Sequence, residues 1–278
     1  LSNSKPLAFV SLLERHPTLL ASIVTGTVTC LVADRGVGHL HTMVSLAVSP
    51  DTSDTLLASD AYKQAVSEAL AIGFSQQGLS QGRTWQQAVR LVKAPSGRAA
   101  LLSSPDLLGA ILHGLRQGNH QPLAAAAVCH LLSCDDGRKQ TLGSLQLMTA
   151  ITRCLGGVAA SGCTHDWDCV LEQLVRDADG QALVLASPEA LAALAAGVSN
   201  QSARSMRSWD ALLGAPAALQ QLVDGLANSS SCSSSSGSSG KGRVWVQAAA
   251  VLLDRQGAWE LRLRDCPQFL PAVVAGLK

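Results

Sequence analysis

Apolar residues along this chain recur at helical spacing, in short runs that share one kind of opening. The clearest run is Leu101-Leu102-Ser103-Ser104-Pro105-Asp106-Leu107-Leu108-Gly109-Ala110-Ile111-Leu112. Ser104 is placed to cap a helix N-terminus by accepting from an otherwise unpaired amide. Pro105 suits the first helical position, where a missing N–H costs nothing, and Asp106 meets the positive end of the helix dipole. Leu107, Leu108, Ile111, Leu112 and Leu115 follow on one apolar face. On that register a charge at Leu108 would be buried without a partner and would destabilise the whole array.

Cognate openings recur. Leu57-Ala58-Ser59-Asp60, Leu142-Gly143-Ser144-Leu145, Leu185-Ala186-Ser187-Pro188, Leu213-Gly214-Ala215-Pro216 and Asp265-Cys266-Pro267 each precede an apolar stripe. Counted at Asp60, Pro105, Leu145, Pro188, Pro216 and Pro267, the intervals are 45, 40, 43, 28 and 51. The interval of 28 reads as a degenerate repeat. The last contains a Ser-, Asn- and Gly-rich tract, residues 228–240, which cannot bury enough to offset the entropy of ordering it and reads as a loop insertion.

After each anchored helix a polar turn leads into an Ala-rich second helix. Leu107 to Leu115 runs through Gly118-Asn119 into Leu123 to Leu132, and Asp135-Asp136-Gly137-Arg138 reads as the turn back to the anchor at Leu142. Trp85, Trp167 and Trp245 fall near the start of that second helix and read as packing devices. Upstream, Gly36-Val37-Gly38 reads as a break, followed by a helix with Leu40, Met43, Val44 and Ala47 that stops at Pro50. Residues 1–60 are expected to form N-terminal helices capping the array, and residues 61–278 to form the repeats.

With the tract at 228–240 shortened by roughly a dozen residues, most intervals lie in the range of about 40–47 of armadillo and HEAT arrays. Leu107 to Leu115, Gly118-Asn119, Leu123 to Leu132, Gly137 to Leu142 and Leu145 to Leu155 resemble an armadillo repeat. The resemblance implies an all-α fold, a right-handed α-solenoid of armadillo/HEAT-like helical repeats, with the anchored helices as third helices lining a groove for extended peptides or protein partners. The nuclear-import branch reads basic peptides through Trp and Asn spaced along that groove. No W-x₃-N pair occurs on the anchored helices here, which argues against that cargo.

Composition narrows the role. Aromatics are 3% of a chain that is 47% hydrophobic, so the core must be built from Leu, Val, Ile and Ala. Charged residues, at 15%, leave a surface of Ala, Ser, Gln and Gly, which suits either a subunit lying against other macromolecules or a GC-rich coding bias. A net charge of +1 gives no long-range pull on nucleic acid or anionic membrane. The uncharged stretch from Pro17 to Ala33 is short for a span and interrupted by Thr, Ser and Gly, so it reads as a buried helix pair rather than a membrane helix. The chain starts at Leu1, as a processed protein or a piece of a longer one would, and an intracellular setting, cytosol or organellar matrix, is expected.

Candidate chemistry is sparse. No G-x-S-x-G occurs, the Gly36-Val37-Gly38 pair lacks the rest of a phosphate loop, and the carboxylates fit caps and turns, so the chain is expected not to be an enzyme. Cys163, His165 and Cys169 are the weak metal candidate, short of a second ligand pair, and no cofactor is expected. The leading expectation is a non-catalytic scaffold contacting a protein partner through His113, Arg116, Gln146, Thr149, Arg153, Gln220, Gln221 and Asp224 on the anchored helices. The alternative is an RNA-contacting structural subunit of a ribonucleoprotein such as an organellar ribosome, using a basic patch of Arg204, Arg207, Arg262 and Arg264.

Overall fold

The computed structural model describes residues 36–50, 52–76, 78–117, 121–161 and 166–212, together with Thr18, Ser22 and Asp224. Among the described residues it is all-α: thirteen helices and no strand. The first, α1 (Gly36–Val48), starts on the glycines that read as a break. The other twelve follow as four cassettes of short, long and third helix. These are α2 (Ser53–Ala58), α3 (Asp60–Ser75) and α4 (Leu79–Lys93); α5 (Pro95–Ser103), α6 (Pro105–Gln117) and α7 (Gln121–Leu132); α8 (Asp135–Gly143), α9 (Leu145–Ser161) and α10 (Asp168–Leu174); α11 (Ala178–Ala186), α12 (Pro188–Ser199) and α13 (Ala203–Leu212).

One serine joins the short helix to the long one in every cassette. Ser59, Ser104, Ser144 and Ser187 have extended backbone, with ψ of 117°, 110°, 101° and 108°. Their N–H groups donate backward to the carbonyls of Leu56, Leu101, Thr141 and Val184. Their hydroxyls accept forward, from the amides of Tyr62, Leu107, Leu147 and Ala190 at 3.2–3.4 Å. Each thus ends one helix and caps the next, satisfying groups that a helix terminus leaves unpaired. An extended residue between two helices turns the chain, by 96° at Ser187. Pro105 and Pro188 occupy first helical positions, as their sequence context requires.

The short helices are the element that hydrophobic periodicity misses. Asp135-Asp136-Gly137-Arg138 is the first turn of α8 rather than a loop. Its start is fixed by Cys134, whose Sγ accepts from the Gly137 amide at 3.3 Å, and in α11 Asp177 accepts from Gly180 at 2.8 Å. The glycine is required because the short helix abuts the end of the preceding third helix. A Cβ on Gly97, Gly137 or Gly180 would press into the carbonyl of Leu91, Leu131 or Leu174, six residues upstream. The next side chain then ties off a terminal carbonyl: the Arg138 guanidinium donates to Leu132 at 3.2 and 3.3 Å, and the Gln181 amide to Val175 at 3.0 Å.

Two compact units divide between Ala150 and Ile151, inside α9. In the first, helices of the same rank pack on one another: α1 on α4 and α4 on α7, α3 on α6, α2 on α5 and α5 on α8. Its core holds Tyr62, Phe74, Trp85, Leu91, Leu107 and Ile111, all nearly inaccessible, with the Phe74 and Trp85 rings 4.6 Å apart. Leu107 carries the apolar face of α6, while Leu108, expected to share it, is only half-buried. Tyr62 crosses to α1, its hydroxyl donating to the Met43 carbonyl at 2.7 Å.

In the second unit α10 and α12 pack against α13, and Ala190, Ala193, Ala195, Ala196 and Gly197 keep α12 slim. Trp167 and Trp209 are fully buried there. Among the described residues no single helix is long and apolar enough to cross a membrane. The anchors at Pro216 and Pro267, the tract at 228–240, Trp245 and most of the stretch from Pro17 to Ala33 lie outside the described residues.

Candidate functional site

Among the described residues the anchored helices are α3, α6, α9 and α12, and the sequence candidates fall on α6 and α9. His113 on α6 is half-buried, with Nε2 3.0 Å from the Ser75 hydroxyl and 3.4 Å from the Gln117 amide. Arg116 is exposed on the same helix. On α9, Gln146, Thr149 and Arg153 are exposed, and the Thr149 hydroxyl donates back to Leu145 at 2.7 Å. Asp224 is exposed, and Gln220 and Gln221 lie outside the described residues.

The C-terminal basic patch is partly neutralised. Arg207 grips Glu172 Oε1 through Nε and Nη2 at 3.0 and 2.9 Å, and Arg204 lies 3.8 Å from Oε2. Two guanidiniums sharing one carboxylate offer less to a phosphate than two unpaired ones would. Arg262 and Arg264 lie outside the described residues.

Of the metal candidates, Cys163 and His165 are outside the described residues, and Cys169 is half-buried with its thiol donating to the Asp166 carbonyl at 3.1 Å. Among the described residues no three His, Cys, Asp or Glu side chains come together as a metal site. Burial pushes the Cys154 thiol up to about 11, against an opposing pull from Arg153, so it stays a protonated, inert hydrophobe near neutrality.

Two arrangements escaped the linear pattern. Asp168, in the first turn of α10, is completely buried and accepts hydrogen bonds from the hydroxyls of Ser202 and Ser205, the latter at 2.7 Å. A Cβ on Gly197 would collide with this group. Asp168 is therefore a packing carboxylate that ties α10 to the start of α13, not a ligand.

The second arrangement is a stripe on the outer side of α4. Leu79, Arg83, Gln86, Arg90 and Lys93 fall within one exposed arc, opposite the buried Thr84, Trp85, Ala88, Leu91 and Val92. Leu79 is 82% exposed. Arg90 donates to His41 Nδ1 on α1 at 3.1 Å and to Gln87 Oε1 at 3.0 Å. On α7, His130 is held below the ordinary imidazole range by burial first, then by the charges of Lys93 and Arg98. The apolar and cationic spacing on α4 was legible, but which helices flank it was not.

No family model matches the chain, and neither does a curated protein or a solved structure.

Proposed function

We propose that the chain is an α-solenoid of armadillo-like repeats that serves as a non-catalytic scaffold, holding a protein partner within a larger assembly. The observation that carries this is the fourfold recurrence of one short, long and third-helix cassette with the same serine joint, at intervals of 45, 40 and 43 residues. A cassette of such short helices cannot hide its apolar faces alone and gains its core from its neighbours. The stacking of like-ranked helices in the first unit supports the same reading.

The resemblance places the partner groove on third helices. Counted with a short helix opening each cassette, those in the first unit are α4 and α7, beside the anchored helix α6 that carries His113 and Arg116. Copurification of the tagged full chain followed by mass spectrometry tests the proposal. A recurrent protein partner is the expected result. Tight RNA binding that weakens steeply between two salt concentrations would instead favour the RNA-contacting subunit.

A further inference from the structure

We infer that the outer stripe of α4, Leu79, Arg83, Gln86, Arg90 and Lys93, docks an extended acidic protein segment that carries an apolar residue of leucine size. This deepens the scaffold reading and rests on it, since it takes the third-helix rank as the face that meets the partner. α4 lies between α1 and α7, packed on both. None of these three helices contains an Asp or a Glu.

α3 also packs on α4 and carries two acids, of which Asp60 is paired with Lys63 at 2.7 Å and Glu68 accepts from the Gln64 amide at 3.0 Å. Among the described residues no ion pair involves Arg83, Arg90 or Lys93. The carboxylates nearest along the chain, Glu68 and Asp106, lie on α3 and α6. A single-sign face of this kind selects partners by charge, attracting carboxylates and repelling basic segments.

Leu79 adds the apolar element. A leucine that is 82% exposed, on the same arc as the cations, offers a hydrophobic anchor at one end of a basic row. From Leu79 to Lys93 the stripe runs about 21 Å at the helical rise, a length that six or seven residues of extended chain cover. Single-stranded RNA is a poorer fit, because base stacking needs aromatic rings at the surface. Tyr62, Phe74, Trp85, Trp167 and Trp209, the aromatic residues among those described, are all buried.

The test is fluorescence anisotropy on the full chain with labelled peptides: one of alternating Glu and Leu, its Gln-for-Glu counterpart, its Lys-for-Glu counterpart, and an oligouridine of similar length. Preferential binding of the acidic peptide is expected, weakened at least tenfold by R83E/K93E and severalfold by L79S, and unchanged by K139E at an exposed position of α8. The milder pair R83Q/K93Q keeps the Arg90 to His41 contact and gives a smaller loss in the same direction, should charge reversal disturb folding. Equal binding of the Gln peptide, tighter binding of oligouridine, or indifference to all the stripe variants overturns the inference. Copurifying proteins are scored in the same variants, so an unchanged partner with unchanged peptide affinity sinks the stripe while leaving the scaffold standing.

Discussion

Gly137 sits against the carbonyl of Leu131 so closely that a Cβ would enter the oxygen, whereas Gly109 faces open space on α6. The two glycines therefore respond oppositely to alanine. Gly137→Ala overpacks the joint between α7 and α8 and lowers stability by about 1–3 kcal/mol. Gly109→Ala removes backbone freedom from a helix interior and raises stability by roughly 0.5–1 kcal/mol. Urea titrations of both variants decide it, and a gain for Gly137→Ala would refute the close packing.

Leu107 and Leu108 are neighbours with unequal burial, the first fully buried and the second half-buried. Leu107→Ala leaves a cavity and costs about 2–5 kcal/mol. Leu108→Ala costs about 1 kcal/mol, since part of that side chain already meets water. Thermal melts of the two variants should separate clearly, and equal losses would mean that α6 is rotated from the register described.

Asp168 holds two serine hydroxyls inside the second unit. In Asp168→Ala the fully buried Ser205 hydroxyl loses its acceptor, which costs about 1–3 kcal/mol in addition to the lost packing. Because Trp167 and Trp209 are buried in the same unit, near-UV circular dichroism should register the change. Unaltered tryptophan signals and stability would show that the carboxylate does not organise this core.

His130 gives stability a pH dependence of known sign. Burial, then Lys93 and Arg98, lower its folded-state affinity for a proton below the ordinary value of 6.5. The unfolded chain therefore binds that proton first as pH falls, so the contribution is fully present above 6.5 and is lost as pH drops through the folded value. Replacing His130 with Gln should flatten the stability profile just below pH 6.5. A profile identical to that of the parent chain would exclude His130 as its source.

Much of the helical framework was written in local chemistry. Ser104 with Pro105, and Ser187 with Pro188, state a cap and a first turn within two residues, and the structure keeps both. The short helices were not legible: α8 is nine residues with Asp, Asp and Gly at its front, a composition that serves a turn equally well. The stripe on α4 was half legible. Its spacing lay in the sequence, but its flanking by two acid-free helices required residues far apart in the chain to pack together.

By itself, then, the sequence determined helix, cap and repeat interval, because each depends on residues within a turn or two of one another. Tertiary packing decided which glycine is crowded, which leucine is buried, which arginines share Glu172 and which remain on an acid-free face. Those outcomes depend on approach between distant segments, and a carbonyl or a carboxylate acts on a side chain only at contact range.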